Sequence, residues 1–479
     1  MSSVADLSRT GVNFSRPGVL PDPTFYPSPR TAAKAPPETL AYVALINPAD
    51  DGRPDAIGIV DLDTTSNGFG TVVGRLELPY AGDELHHFGW NACSSALCPF
   101  APHPHVERRY LIVPGIRSSR IYVIDTRPNP AEPQIVKIIE PRELMEKTGY
   151  SRPHTVHCGP DGIYMSALGS ADGHGPGGIF VLDHDSFDVL GRWEIDRGPQ
   201  NLAYDFWWHL GYDTLMTSEW GTPDMVETGL QPQLLMEQKY GRHVHFFDLR
   251  RRRHVQSLQV EDGDQMTLEL RPAHDPTKAY GFVGVVVSVK DLSASVYTWY
   301  RERDRWAMRK VITIPAEPAD PAQLPDALKP FGAVPPLVSD IDLSVDDRFL
   351  YVSCWGTGEL RQYDVSDPFE PKQTGSIHLG GIVRRAEHPM GGGPLSGGPQ
   401  MVEVSRDGRR VYFTNSLYIP WDAQFYPAGI SGWMAKVNTD PNGGMSVDPG
   451  FFPRFEDGLR SHQVRLQGGD ASSDSYCYP

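Results

Sequence analysis

Ile121-Tyr-Val-Ile-Asp125 is a short apolar run closed by an aspartate, and the same pattern returns at Ile57-Gly-Ile-Val-Asp61, Ile179-Phe-Val-Leu-Asp183 and Val244-His-Phe-Phe-Asp248. Val296-Tyr-Thr-Trp-Tyr300, Leu360-Arg-Gln-Tyr-Asp364 and Met434-Ala-Lys-Val-Asn438 continue the series more loosely. Copies spaced at roughly sixty residues mark a repeat architecture, and seven of them match the blades of a β-propeller. A second element precedes the apolar strand in several copies: Pro160-Asp-Gly-Ile-Tyr164, Asp346-Asp-Arg-Phe-Leu-Tyr351 and Arg406-Asp-Gly-Arg-Arg-Val-Tyr412. Each reads as a turn feeding a strand. Two unrelated β-sandwiches would have no reason to repeat both elements in one order. The expected fold is therefore all-β, a seven-bladed propeller with short helical insertions.

Composition agrees. Gly 47 and Pro 44 in a 479-residue chain, with 39% hydrophobic and 22% charged residues, describe a globular protein with many tight turns. Helical periodicity is scarce; Pro141–Lys147 and Gln233–Tyr240 are the best short-helix candidates. Residues 1–38 are rich in Pro and Ser and read as an N-terminal arm, with one propeller domain expected over 39–479. Gly391-Gly-Gly-Pro-Leu-Ser-Gly-Gly-Pro399 is punctuated by Pro and reads as an inter-blade loop.

A formal charge of −16 and no clustered basic surface argue against nucleic acid as a partner. The basic run Arg250-Arg251-Arg252-Arg253 reads as a hairpin tip. No 18-residue apolar run or signal-like h-region occurs, so no membrane association is expected. The expected location is cytoplasmic, or periplasmic if a leader was removed. Five cysteines (Cys93, Cys98, Cys158, Cys354 and Cys477) are too few and too odd in number for a disulfide framework.

Histidine carries the functional signal. His86, His87, His154, His157, His274 and His462 each fall between one copy of the apolar strand and the first strand of the next blade. In a propeller that connection runs from the rim to the innermost strand, so these side chains converge on the central channel. Several neutral imidazoles at one point suit a borderline transition metal: copper, zinc or iron. Gln200, Glu219, Asp340, Asp342, Gln400 and Glu403 hold comparable positions in the other blades. Carboxylates such as Glu219 can orient imidazoles. His103, His105, His174, His184 and His209 read as ordinary core or surface residues. Cys93 is either a small buried hydrophobe or a reactive thiol near the metal. Trp207, Trp208 and Trp220 read as packing between blades. Neither a nucleophile-elbow Gly-x-Ser-x-Gly nor a phosphate-binding loop is evident.

These residues sit in stretches that resemble the selenium-binding protein and methanethiol oxidase family. They include Asp83-Glu-Leu-His-His-Phe-Gly-Trp-Asn91, His154-Thr-Val-His-Cys158, Tyr204-Asp-Phe-Trp207 and Ser218-Glu-Trp220. Gly397-Gly-Pro-Gln-Met401, Trp421-Asp-Ala-Gln-Phe-Tyr-Pro427 and Gly468-Gly-Asp-Ala-Ser-Ser-Asp474 continue the resemblance toward the end of the chain. It implies a seven-bladed propeller and a copper-dependent oxidase acting on methanethiol and O2. The family's histidines map onto the six named above. His87, His157, His274 and His462 are expected to bind the metal, with His86 and His154 turned away. Glu219, Asp340 and Glu403 are the expected proton-transferring carboxylates. The alternative is a non-enzymatic selenium- or metal-binding propeller acting as a carrier or interaction platform. A propeller lactonase using calcium would need more carboxylate and less imidazole. One departure concerns thiols: the family's Cys-Ser-Ser-Cys becomes Cys93-Ser-Ser-Ala-Leu-Cys98, and a terminal family cysteine is Ala471.

Overall fold

A computed structural model describes residues 22–159, 161–388, 393–469 and 472–479. Its architecture is a seven-bladed β-propeller, each blade a four-stranded antiparallel sheet. The repeated apolar run is the third strand of each blade. Ile121–Asp125, for example, pairs with Tyr110–Pro114 on one side and Gln134–Ile139 on the other. Third strands such as Ala56–Asp61 and Gly178–Leu182 are buried on both faces, because neighbouring blades cover each sheet. That double burial accounts for nearly continuous apolar runs in place of strict alternation. Outermost strands such as Arg253–Gln259 alternate exposed and half-buried side chains, as one-sided packing requires.

The turn signals hold the positions expected of them. Asp347 and Gly408 occupy equivalent turns, both with left-handed backbone (φ 60° and φ 66°). The turns lead into the second strands Phe349–Cys354 and Arg410–Phe413. Pro160, Ala471 and Gly391–Gly392 lie outside the described residues. The seventh third strand runs Ala435–Thr439, one residue beyond its expected frame. Pro141–Thr148 is helical and ends on left-handed Gly149. The second helix is only Pro232–Met236, because Gln238 takes φ 53° and turns the chain before Tyr240. Among the described residues no helix is long and apolar enough to cross a membrane.

The ring closes in the first blade. There the innermost strand is Arg460–Leu466, from the far end of the chain, paired with Leu40–Ile46 (Tyr42 facing Arg465, Val43 facing Val464). Closure removes the free sheet edges that an open row of blades would present. Within the expected arm, residues 22–38 pack on the propeller: buried Glu38 pairs with Arg410, and buried Asp22 with Arg127.

All innermost strands begin at one end of the channel and finish at the other. Insertions cover the end where they begin, meeting in an apolar cluster with Tyr204, Trp220, Leu268, Tyr418 and Trp421. The last residues close the opposite end: Ser472 donates to Glu403, and Asp474 accepts from Ser94 and Arg108.

Candidate metal centre

Four imidazoles meet on the axis. His86 and His87 lie just ahead of the second blade's inner strand, on a segment held by Leu85 N–H donating to Asp55 (2.9 Å) and by the Leu85–Gly115 bridge. His154 belongs to Tyr150–Gly159, and His462 to the closing strand. Both fall where the strand register slips, between Pro153 and Val156 and opposite Val43–Leu45. A bulge adds a residue and re-aims the side chain it carries. Ring centroids are 3.8 Å apart for His86–His462, 4.1 Å for His87–His154, 4.7 Å for His86–His154 and 5.0 Å for His86–His87. One nitrogen each from His86, His87 and His462 lies within 4.8 Å of the other two.

All four rings are fully buried, and burial, helped by neighbouring imidazoles for His86, His87 and His154, holds each well below its ordinary range. For His462 burial sets the value at about 4. The rings are therefore neutral at pH 7 and present lone pairs. His462 Nδ1 donates to the Ser416 carbonyl (2.8 Å), which leaves Nε2 as the acceptor nitrogen. That Nε2, His154 Nε2 and both nitrogens of His86 make no hydrogen bond within the protein. Buried polar atoms are normally satisfied, so unpartnered nitrogens on three clustered rings, with one nitrogen each of His86, His87 and His462 in mutual reach, suit a metal that accepts imidazole.

The expected ligand set is thus rearranged. His86 and His154 face the axis, whereas His157 and His274 stand apart. His157 packs on Trp207 (4.1 Å), with Asp205 at 4.0 Å, and is kept neutral by burial and by Arg465 and Arg271. His274 commits both nitrogens, Nδ1 to Asp347 (3.0 Å) and Nε2 to the Ser472 carbonyl (2.9 Å). Burial opposes its protonation, but the Asp347 carboxylate raises it. It clamps the chain terminus.

The three expected carboxylates divide as well. Glu219 accepts from His243 and His245, away from the cluster. Glu403 is engaged by Arg465 (2.7 Å) and Ser472 (2.6 Å). Asp340 lies against Arg271 (3.3 Å), and burial pushes its carboxyl up to about 7. Cys93 donates its backbone N–H to Cys158 Sγ, and both are buried. The residue that reaches the cluster is one the sequence did not single out: Glu269 Oε1 stands 3.5 Å from His87 Nε2. Glu269 too lies in a bulged stretch, between Thr267 and Leu270. Burial and the nearby Asp205 and Asp340 hold its carboxyl far above the usual range. Tyr204 Oη, also unforeseen, is 3.5 Å from His87 Nε2. A small apolar cavity adjoins His86, walled by Tyr204, Trp220, Met266, Leu268 and Trp421.

Residues 19–477 match the 56kDa selenium binding protein (SBP56) family. The chain belongs to the 56 kDa selenium-binding protein family. A relative from Arabidopsis thaliana, selenium-binding protein 3, is 37% identical over 94% of this chain and 96% of its own. A Homo sapiens relative named methanethiol oxidase is also 37% identical, over 94% and 97%. The crystal structure of a hypothetical selenium-binding protein from Sulfolobus tokodaii superposes with a TM-score of 0.93 at 60% identity, covering 96% of this chain and all of the other. Membership in the selenium-binding protein family thus rests on agreement along nearly the whole chain, inner strands and terminal plug included.

Proposed function

We propose that this protein is a copper-dependent methanethiol oxidase, converting CH3SH, O2 and H2O to HCHO, H2S and H2O2. The observation that carries the reading is the convergence of four buried, neutral imidazoles beside a small apolar cavity. His86, His87, His154 and His462 would hold the copper. When bound, the metal would supply Lewis acidity toward a thiolate and a redox couple for O2. The relatives named methanethiol oxidase support the same reading.

The chain's own groups account for the rest. Met266, Leu268 and Trp220 would receive the methyl group of the thiol, its sulfur directed toward His86. The covering insertions exclude bulk water, which strengthens every polar interaction inside. Glu269, its carboxyl held far above the usual range by burial and 3.5 Å from His87, is placed to give up a proton as product forms. Arg271 contacts Glu269 (3.3 Å), Asp205 (3.7 Å) and Asp340 (3.3 Å), so the charge left on Glu269 is met by a guanidinium.

The test is the copper content of the reconstituted full-length protein, with methanethiol-dependent oxygen uptake and sulfide release. About one copper per chain and turnover, both lost in His86→Ala/His462→Ala, is expected. Copper bound without oxygen uptake would favour a metal or selenium carrier. Turnover that survives the double variant would overturn the reading.

A further inference from the structure

A second set of metal-ligating side chains lies outside the axial cluster, on the fourth blade. His243 and His245 alternate with Val244 and Phe246 on the third strand His243–Asp248, so period-two geometry puts both imidazoles on one face. Glu219 follows the adjacent strand Thr214–Thr217 and turns its carboxylate onto that face. Its Oε2 lies 3.0 Å from His243 Nδ1, and its Oε1 lies 2.9 Å from His245 Nε2. All three residues offer ligand atoms within 4.8 Å of one another. The geometry points to a second metal site with two imidazoles and one carboxylate, suited to a borderline divalent cation such as zinc.

Three features fit an ion. The edge of a zinc tetrahedron built from ~2.0 Å bonds is about 3.3 Å, close to the two imidazole–carboxylate separations already present. The carboxylate is fixed in advance, because Oε2 also accepts the backbone N–H groups of Arg242 (2.9 Å) and His243 (3.0 Å). His245 is oriented from behind, its Nδ1 lying 3.1 Å from His254 Nε2, the outer hydrogen bond that a zinc-bound imidazole ordinarily makes. Glu219 and His245 are buried, whereas the His243 side chain is 39% exposed. The fourth position therefore opens to solvent, unlike the sealed axial cluster. Trp220, next in sequence to Glu219, packs on Tyr204 (5.6 Å), and Tyr204 packs on His154 (4.2 Å).

The experiment is a Zn²⁺ titration of the metal-free full chain by calorimetry, repeated with Co²⁺ to read the d–d absorption of a tetrahedral nitrogen–oxygen site. The His86→Ala/His462→Ala protein isolates the second site. It is expected to bind one equivalent, and adding His243→Ala or Glu219→Gln should weaken that equivalent at least tenfold and abolish the cobalt bands. His243 is partly exposed, so its truncation leaves the fold intact; a His243→Ala substitution in the otherwise unaltered chain gives the same reading as the loss of one equivalent. Zinc stoichiometry and cobalt spectra unchanged by His243→Ala, or no zinc bound in the axial double variant, would overturn the site and leave Glu219 as the centre of a plain hydrogen-bonded network. Neither result depends on whether the axial cluster oxidises thiols.

Discussion

His462 is buried and held at about pKa 4, against about 6.5 when the chain is unfolded. Between these values the unfolded chain binds a proton that the metal-free native state refuses, so stability must rise with pH. The contribution is complete above pH 6.5 and is lost as pH falls toward 4. About 2.5 pKa units at about 1.4 kcal/mol each give roughly 3 kcal/mol over that window. His462→Gln removes the titrating group but keeps an N–H able to reach the Ser416 carbonyl. Urea unfolding of the metal-free wild type and His462→Gln at pH 7.5 and pH 4.5 reads the effect by difference, with the small easing of the neighbouring imidazoles included in it. The wild type should lose about 2–3 kcal/mol more than the variant on acidification. Under the proposed function, copper held by the folded cluster should raise the wild-type midpoint far more than the variant's. Parallel curves for the two metal-free proteins would refute the neutral, desolvated cluster.

Glu269→Gln keeps the shape of the proton donor but not its acidity; copper content should stay at wild-type level while methanethiol turnover falls by about 10²–10⁴, measured by oxygen uptake. His274→Ala should leave copper content unchanged yet destabilise the protein by about 1–3 kcal/mol in thermal unfolding, because buried Asp347 loses a partner. Trp220→Ala enlarges the apolar cavity and should raise kcat/KM for ethanethiol relative to methanethiol about tenfold in competition assays.

The propeller was legible in the sequence because its signal is local and repeated. The repeated runs Ile57–Asp61 and Ile179–Asp183 keep the same residue types, and the phase of the histidines relative to them put all six on or beside inner strands. The choice among the six was not legible. His154 and His157 lie on one strand, and only the slip in register between Pro153 and Val156 determines which faces the axis. The same device presents His462 and Glu269, and no residue type in these stretches announces a bulge. His274 misled for another reason: its phase is right, but Asp347 and the terminal segment claim both of its nitrogens. Glu269 went unremarked, and Tyr204 was quoted only inside a longer stretch, because one buried carboxylate or phenol carries no spacing signal of its own.

The closing strand gives the protein an order of assembly. His86, His87 and His154 are made more than three hundred residues ahead of His462, which lies on the strand that zips onto Leu40–Ile46. A nascent or C-terminally truncated chain therefore carries three imidazoles and an open ring. Only a finished, closed ring can present the fourth. Under the proposed function, full metal capture would then report on the integrity of the whole chain and keep a redox-active ion out of a half-made protein.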